Sequence, residues 1–339
     1  LFGLKKVGPR LHFFSTFAVA FGSLCSAFWI LSANSWMHTP AGYSISTDGR
    51  FIAEDWWAII FNPSFPYRLV HMTLATLLGT ATLVAGISAW QLLRTHENRR
   101  ARLTYSMALW AIVLLIPLQI VVGDLHGRHS LKVQPQKVAA IEGSWTRPSE
   151  GEGEPLRLFA IPDMAERRNN WELAIPRIGS LYLHHDLTST IAALDEFPRE
   201  DIPPVPTVFF AFRIMVGLGL LMAVQGLASL VLRWRRRLYD SRWMLRTCVL
   251  MAPGGLLAML SGWVVTEVGR QPFTVYGLLR TADSLSSVSR QQVIGSTWFI
   301  LLFYLLTLGV SFWVLGRILR EPPQRDEPGP QPTLADEID

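Results

Sequence analysis

Six stretches of this 339-residue chain are long and apolar enough to cross a bilayer, and they fix its architecture before any motif is read. They run roughly over 11–34, 68–93, 103–123, 207–233, 244–266 and 293–317. A hydrocarbon core about 30 Å thick needs about 20 residues at 1.5 Å rise each, and backbone polar groups inside it must be bonded within the segment. The expectation is an all-α fold, a polytopic transmembrane helical bundle. Half of the residues are hydrophobic and only 17% charged, a balance that excludes an ordinary soluble domain. The net charge of +5 does not point to nucleic acid, because the basic residues cluster beside apolar spans and not along one soluble face.

Those basic clusters orient the bundle. Lys5, Lys6 and Arg10, then Arg94 to Arg102, then six arginines over 233–246, then the tail from Arg317 mark the cytoplasmic side. The connections 35–67 and 267–292 are poor in Lys and Arg. Both termini are therefore expected in the cytoplasm. The chain divides into residues 1–123, with three spans and an outer interfacial segment over 41–66 that carries Trp56 and Trp57. There follow a long outer segment over 124–206, three further spans over 207–320, and an acidic, proline-rich tail over 321–339 expected to be disordered. Cys25 and Cys248 fall in apolar runs without a CxxC partner and read as core packing residues. No internal repeat is apparent, which weakens an inverted-repeat transporter.

Polar chemistry is scarce in the spans, so each instance counts as a candidate site. His71 is the one histidine placed securely in a span. Met215 lies about two turns into the fourth span, at a similar shallow depth below the outer face. Imidazole and thioether are a known axial pair for low-spin haem iron, while each alone is more often packing. Neither the four histidines on facing helices that a bis-His haem bundle needs, nor even two well-buried ones, are expected here. Arg213 precedes Met215 by two residues and points elsewhere, toward a haem carboxylate or outward to headgroups. Glu267 closes the fifth span, and Arg270 follows at i+3, the spacing of a local salt bridge.

Five runs carry a resemblance. Trp263-Val264-Val265-Thr266-Glu267 leads into Gly269-Arg270-Gln271-Pro272-Phe273. The others are Ser26-Ala27-Phe28-Trp29 with Asn34 and Trp36-Met37, then Phe61-Asn62-Pro63 leading to Arg68-Leu69-Val70-His71-Met72. Next come Gly123-Asp124-Leu125-His126-Gly127 with Gln134-Pro135, Lys137 and Glu142-Gly143, and finally Phe209-Phe210-Ala211-Phe212-Arg213-Ile214-Met215. In this order the set resembles subunit I of the cytochrome bd-type quinol oxidases, in wording closest to the cyanide-insensitive branch with a short quinol loop. Phe273 stands where that family usually has Trp.

The resemblance implies a haem-binding subunit of a terminal oxidase that oxidises quinol at the outer face, reduces dioxygen to water and generates proton-motive force. On it, His71 and Met215 ligate low-spin haem b with Arg213 stabilising that haem. Glu267 ligates high-spin haem b, with Trp263 and Arg270 around the haem cluster. A haem d or further haem b would be ligated from spans that precede Leu1 in the family, so the chain reads as N-terminally truncated. Quinol contacts would come from Lys137, Glu142 and Glu172, although 169–176 lacks a lysine often seen in relatives. Implied partners are a second large subunit (cytochrome bd subunit II), a small accessory subunit, quinol, dioxygen and membrane lipids. On residues alone two other classes stay open: a b-type electron-transfer cytochrome, and a non-haem transporter whose polar path holds His71, Arg213 and Glu267.

Overall fold

The computed structural model describes residues 7–285 and 287–320. Lys5, Lys6 and the 321–339 tail lie outside the described residues. The first long helix, α1 (Pro9–His38), starts with proline in its first turn, where a missing N–H costs nothing. A small hairpin of β1 (Tyr43–Ile45) and β2 (Phe51–Ala53) follows, then the single-turn α2 (Trp56–Ile60). Asp55 caps α2 by accepting from the amides of Trp57 and Ala58. Trp56 and Trp57 are exposed, as an interfacial segment requires.

Helices α3 (Phe65–Arg94) and α4 (Arg99–Val133) form an antiparallel pair, with Asn98 capping α4 through the Ala101 amide. The third apolar stretch was expected to end at 123, but α4 runs ten residues further. Nothing in 124–133 breaks a helix until Pro135, and its polar side chains sit beyond the apolar stretch. The outer segment continues with α5 (Pro135–Glu142), which stops at Gly143 in a left-handed conformation (φ 63°). There a Cβ would lie 3.1 Å from the Phe209 ring. Strands β3 (Leu156–Asp163) and β4 (Arg168–Ile175) form an antiparallel hairpin, followed by α6 (Ile178–His184).

Helix α7 (Val205–Trp234) returns across the bundle. The fifth apolar stretch, read as one continuous span, is instead two helices, α8 (Arg242–Met251) and α9 (Gly254–Val268). Pro253 lacks an amide hydrogen and its ring clashes with the preceding turn, so the ladder breaks there. Strands β5 (Phe273–Val275) and β6 (Leu279–Arg280) close the first compact unit, which ends at Ser284; α10 (Arg290–Arg320) belongs to a second unit. Six segments meet the length and hydropathy needed to cross a membrane, in agreement with the sequence reading.

Among the described residues, two larger cores and a smaller cluster of Val138, Leu183 and Ile191 hold the first unit. The inner core packs Leu78, Ala85, Leu92, Tyr105, Leu109 and Ile112 against Met222, Met244, Leu245 and Cys248. There α3 meets α8 and α9 through small residues: a Cβ on Gly86 would come within 2.5 Å of Ala252 Cβ, and one on Gly255 within 2.3 Å of Gly79 Cα. Cys248 belongs to this core as expected. Cys25 does not: it is exposed on α1. The outer core joins α5 and the loop to α7 through Ala139, Ala140, Trp145, Leu194, Val205 and Val208. It fixes the outer segment onto the membrane helices.

Candidate functional site

Helix α9 supplies the ruler for depth. Gly79 of α3 lies against Gly255, and Thr76 Oγ1 stands 3.8 Å from Met259 Sδ, so α3 and α9 run antiparallel. One further turn along this register sets His71 level with Gly262. A Cβ on Gly262 would lie 3.0 Å from Met215 Sδ. His71 and Met215 therefore sit at one depth, on the two helices that flank α9, and both are half-buried. The His71 ring faces α4, where a Cβ on Gly123 would lie 3.6 Å from Cε1. Gln119 Nε2 approaches both ring nitrogens at 3.4 Å, side-on to the ring. Neither nitrogen is committed to a well-aligned protein partner. Gly262 lets α9 approach Met215 Sδ closely, whereas Gly123 makes an ordinary contact with the Cε1–Nδ1 side of the His71 ring.

His71 is not alone, contrary to the sequence reading. The extension of α4 places His126 with its ring centroid 5.4 Å from that of His71, edge to face. One turn further out, His129 Nε2 lies 2.9 Å from Ser64 Oγ and its ring stacks on Tyr67. His38, at the end of α1, is 1% exposed and so is a well-buried histidine the sequence reading denied. The i, i+3 spacing of His126 and His129 was the available signal; it was hidden by ending the helix at the last apolar residue.

Glu267 bridges two elements. Its Oε1 accepts from Asn34 Nδ2 at 2.7 Å, and its Oε2 from Arg270 Nη2 at 2.6 Å, the expected i+3 pair. Asn34 Oδ1 in turn accepts from Arg68 Nη1 at 3.2 Å. Trp263, one turn before Glu267, is half-buried. Lys137 joins this region from α5: its side chain runs beside Gly269, where a Cβ would lie 3.0 Å from Lys137 Cγ. Its Nζ donates to Gln134 Oε1 and lies 3.1 Å from His38 Nδ1. Burial, then the charges of Arg68 and Arg270, hold the Lys137 pKa well below the ordinary lysine range, with Glu267 opposing them.

The other two quinol candidates lie elsewhere. Glu142 is 1% exposed, and its carboxylate makes no aligned hydrogen bond, although the Tyr182 phenol faces it. The nearest cation is Arg213, at 3.9 Å. Desolvation pushes the Glu142 pKa up, and Arg213 pulls it partly back. Glu172 Oε1 stands 3.2 Å from Arg157 Nε, and its Oε2 accepts from Asn169 Nδ2, which also donates to the Gly143 carbonyl. Glu142 and Glu172 thus share one neighbourhood, and Lys137 does not belong to it.

Arg213 spans between the two regions. Its guanidinium donates to the backbone carbonyls of Ile141 (2.6 Å), Phe209 (3.2 Å) and Arg157, and lies over the Phe209 ring. It clamps the loop to α7, two residues from Met215.

A family model described as cytochrome bd terminal oxidase subunit I matches residues 1–323. The chain belongs to that family. It is 33% identical over 331 residues to a cytochrome bd ubiquinol oxidase subunit 1 of Bacillus subtilis, covering 94% of this chain and 68% of that protein. It is 28% identical to a cytochrome bd-II ubiquinol oxidase subunit 1 of Escherichia coli, over 97% of this chain and 77% of the relative. Among solved structures, the bd oxidase of Geobacillus thermodenitrificans superposes with a TM-score of 0.81 at 26% identity, covering 93% of this chain and 72% of that one. An all-α, membrane-spanning cytochrome bd subunit I is therefore what the helices and the relatives agree on.

Proposed function

We propose that the chain serves as the haem-carrying, quinol-oxidising subunit of a dioxygen-reducing terminal oxidase. The observation that carries this reading is the matched depth of His71 and Met215 on the two helices that flank α9. In this reading His71 and Met215 would hold low-spin haem b, and Glu267 would hold high-spin haem b, with Trp263 and Arg270 around it. A haem d or another haem b completes the set in the assembled enzyme, which also contains subunit II and, by the family resemblance, a small accessory subunit. When bound, these groups supply one-electron carriage and, at an open iron position, dioxygen chemistry.

The chain's own residues orient substrate and move protons. Oxidation of a quinol to a quinone releases two electrons and two protons. Glu142, raised in pKa by burial, is suited to accept one of those protons, and Arg213 stabilises the carboxylate that receives it. Glu172, held by Arg157 and Asn169, offers a second acceptor on the same wall. In this reading the basic connections are cytoplasmic, so the wall lies at the outer face of the membrane and protons leave to the outside.

Reduced-minus-oxidised optical spectra of membranes carrying the assembled oxidase test the ligand assignment. His71→Ala should remove the low-spin haem b band while the subunit is still inserted, as judged by immunoblot. A low-spin band of unchanged position and size in that variant overturns it.

A further inference from the structure

Four buried side chains near Glu267 have more donor capacity than the chain satisfies. Arg68 comes from α3, Lys137 from α5, Arg270 from just beyond α9, and His38 from the end of α1. They are 7%, 4%, 7% and 1% exposed. The one carboxylate joined to them is Glu267, engaged by Arg270 directly and by Arg68 through Asn34. Three cations thus face one anion in a water-poor setting. Among the described residues, Arg68 Nε, Arg270 Nε and Nη1, and His38 Nε2 are buried with no hydrogen-bond partner. His38 Nδ1 lies within hydrogen-bond distance of both Lys137 Nζ and Gln134 Oε1, which leaves Nε2 as the ring nitrogen free for a further partner. The orphaned guanidinium nitrogens are all donors.

Buried donors of one sign, in excess of their acceptors, are costly unless something brings oxygen and negative charge to them. A neutral quinol head offers acceptor oxygens but no charge. A pair of carboxylates offers both, and planar guanidinium edges are suited to bind them in parallel pairs of hydrogen bonds. We propose that His38, Arg68, Lys137 and Arg270 form the anchoring pocket for the two carboxylates of a porphyrin whose iron is held by Glu267. The inference rests on the reading of Glu267 as an iron ligand. It moves Lys137 from the quinol wall to the porphyrin pocket and gives His38, unassigned by its sequence context, a positioning role.

The test uses the whole assembled oxidase in membranes, with haem content per complex and a redox titration of the high-spin haem as readouts, neither of which needs turnover. Arg68→Gln and Lys137→Gln should lower that haem's midpoint potential, because removing nearby positive charge favours the oxidised, more positive iron. They should also raise the share of complexes lacking the haem several-fold. His38→Phe should cost occupancy with a smaller potential change, and His38→Gln, which keeps an N–H donor, should restore most of it. Lys137→Arg guards against simple misfolding, since it should keep both readouts near the parent. Unchanged potential and occupancy in the Gln and Phe variants, whether or not the KM for quinol rises, overturns the pocket. Retention of the high-spin haem in Glu267→Gln overturns the ligand reading beneath it. Loss of the haem in Glu267→Gln together with unmoved Arg68 and Lys137 variants would sink the pocket alone.

Discussion

Burial sets the sign of the pH response at Glu142. Its folded-state pKa is raised above the unfolded value, so the native state holds that proton more tightly than the unfolded chain. Its contribution to stability is fully present below the unfolded pKa and is lost as pH rises through the raised one. Glu142→Gln should accordingly flatten the decline in melting temperature of the detergent-solubilised oxidase between mildly acidic and neutral pH. If Glu142 is the proton acceptor, the same variant should lower kcat for quinol oxidation by about 10²- to 10⁴-fold, the usual contribution of a general base. The acidic limb of the parent's pH–rate profile should lie above the ordinary carboxylate range and vanish in the variant; a limb that persists unchanged places the proton acceptor elsewhere. At this scale the sequence was readable where residue type and depth suffice, as for the Glu267–Arg270 pair and the shared depth of His71 and Met215. It was not readable for His38, whose role comes from Lys137 and Gln134, distant in sequence by 99 and 96 residues.

At the scale of elements, contact between α3 and the broken fifth span depends on the absence of side chains. Gly255 and Gly86 each leave no room for a methyl group against backbone or Ala252. Gly255→Ala should destabilise the folded subunit by about 1–3 kcal/mol, the cost of overpacking a tight core. A thermal melt would read it as a lower midpoint, and an unchanged midpoint would mean the helices are free to separate. Helix identity and order were legible because a long apolar run has few other solutions. Two boundaries were not. Hydropathy falls where the bilayer ends, whereas α4 ends where Pro135 stops it, and so His126 came as a finding. Pro253 was visible, but a proline in an apolar run permits a kink as well as a break, and packing against Gly79 and Gly86 decides between them.

For the whole molecule, the proposed orientation rests on charge distribution, and reagent access can check it. In intact cells, a Trp171→Cys variant, at a position 84% exposed on the outer hairpin, should react with a membrane-impermeant thiol reagent. Arg236→Cys, in the basic connection between α7 and α8, should react only after permeabilisation. The opposite pattern would invert the assigned orientation and put the quinol wall inside. The architecture as a bundle with a folded outer segment followed from the sequence; the internal structure of that segment did not, because short helices and a hairpin carry weak periodicity.

The Arg213 clasp has a mechanical corollary. Its guanidinium grips carbonyls at Ile141 and Arg157, on either side of Glu142 in sequence, while its backbone is two positions from the thioether of Met215. A shift of the outer segment must either break those bonds or be transmitted along less than one helical turn to the sulfur atom. On the proposed reading of Met215 and of the loop wall, occupancy at the surface and tension at the sulfur are thereby yoked, so the arrival of substrate would not have to cross the bundle to be felt at depth.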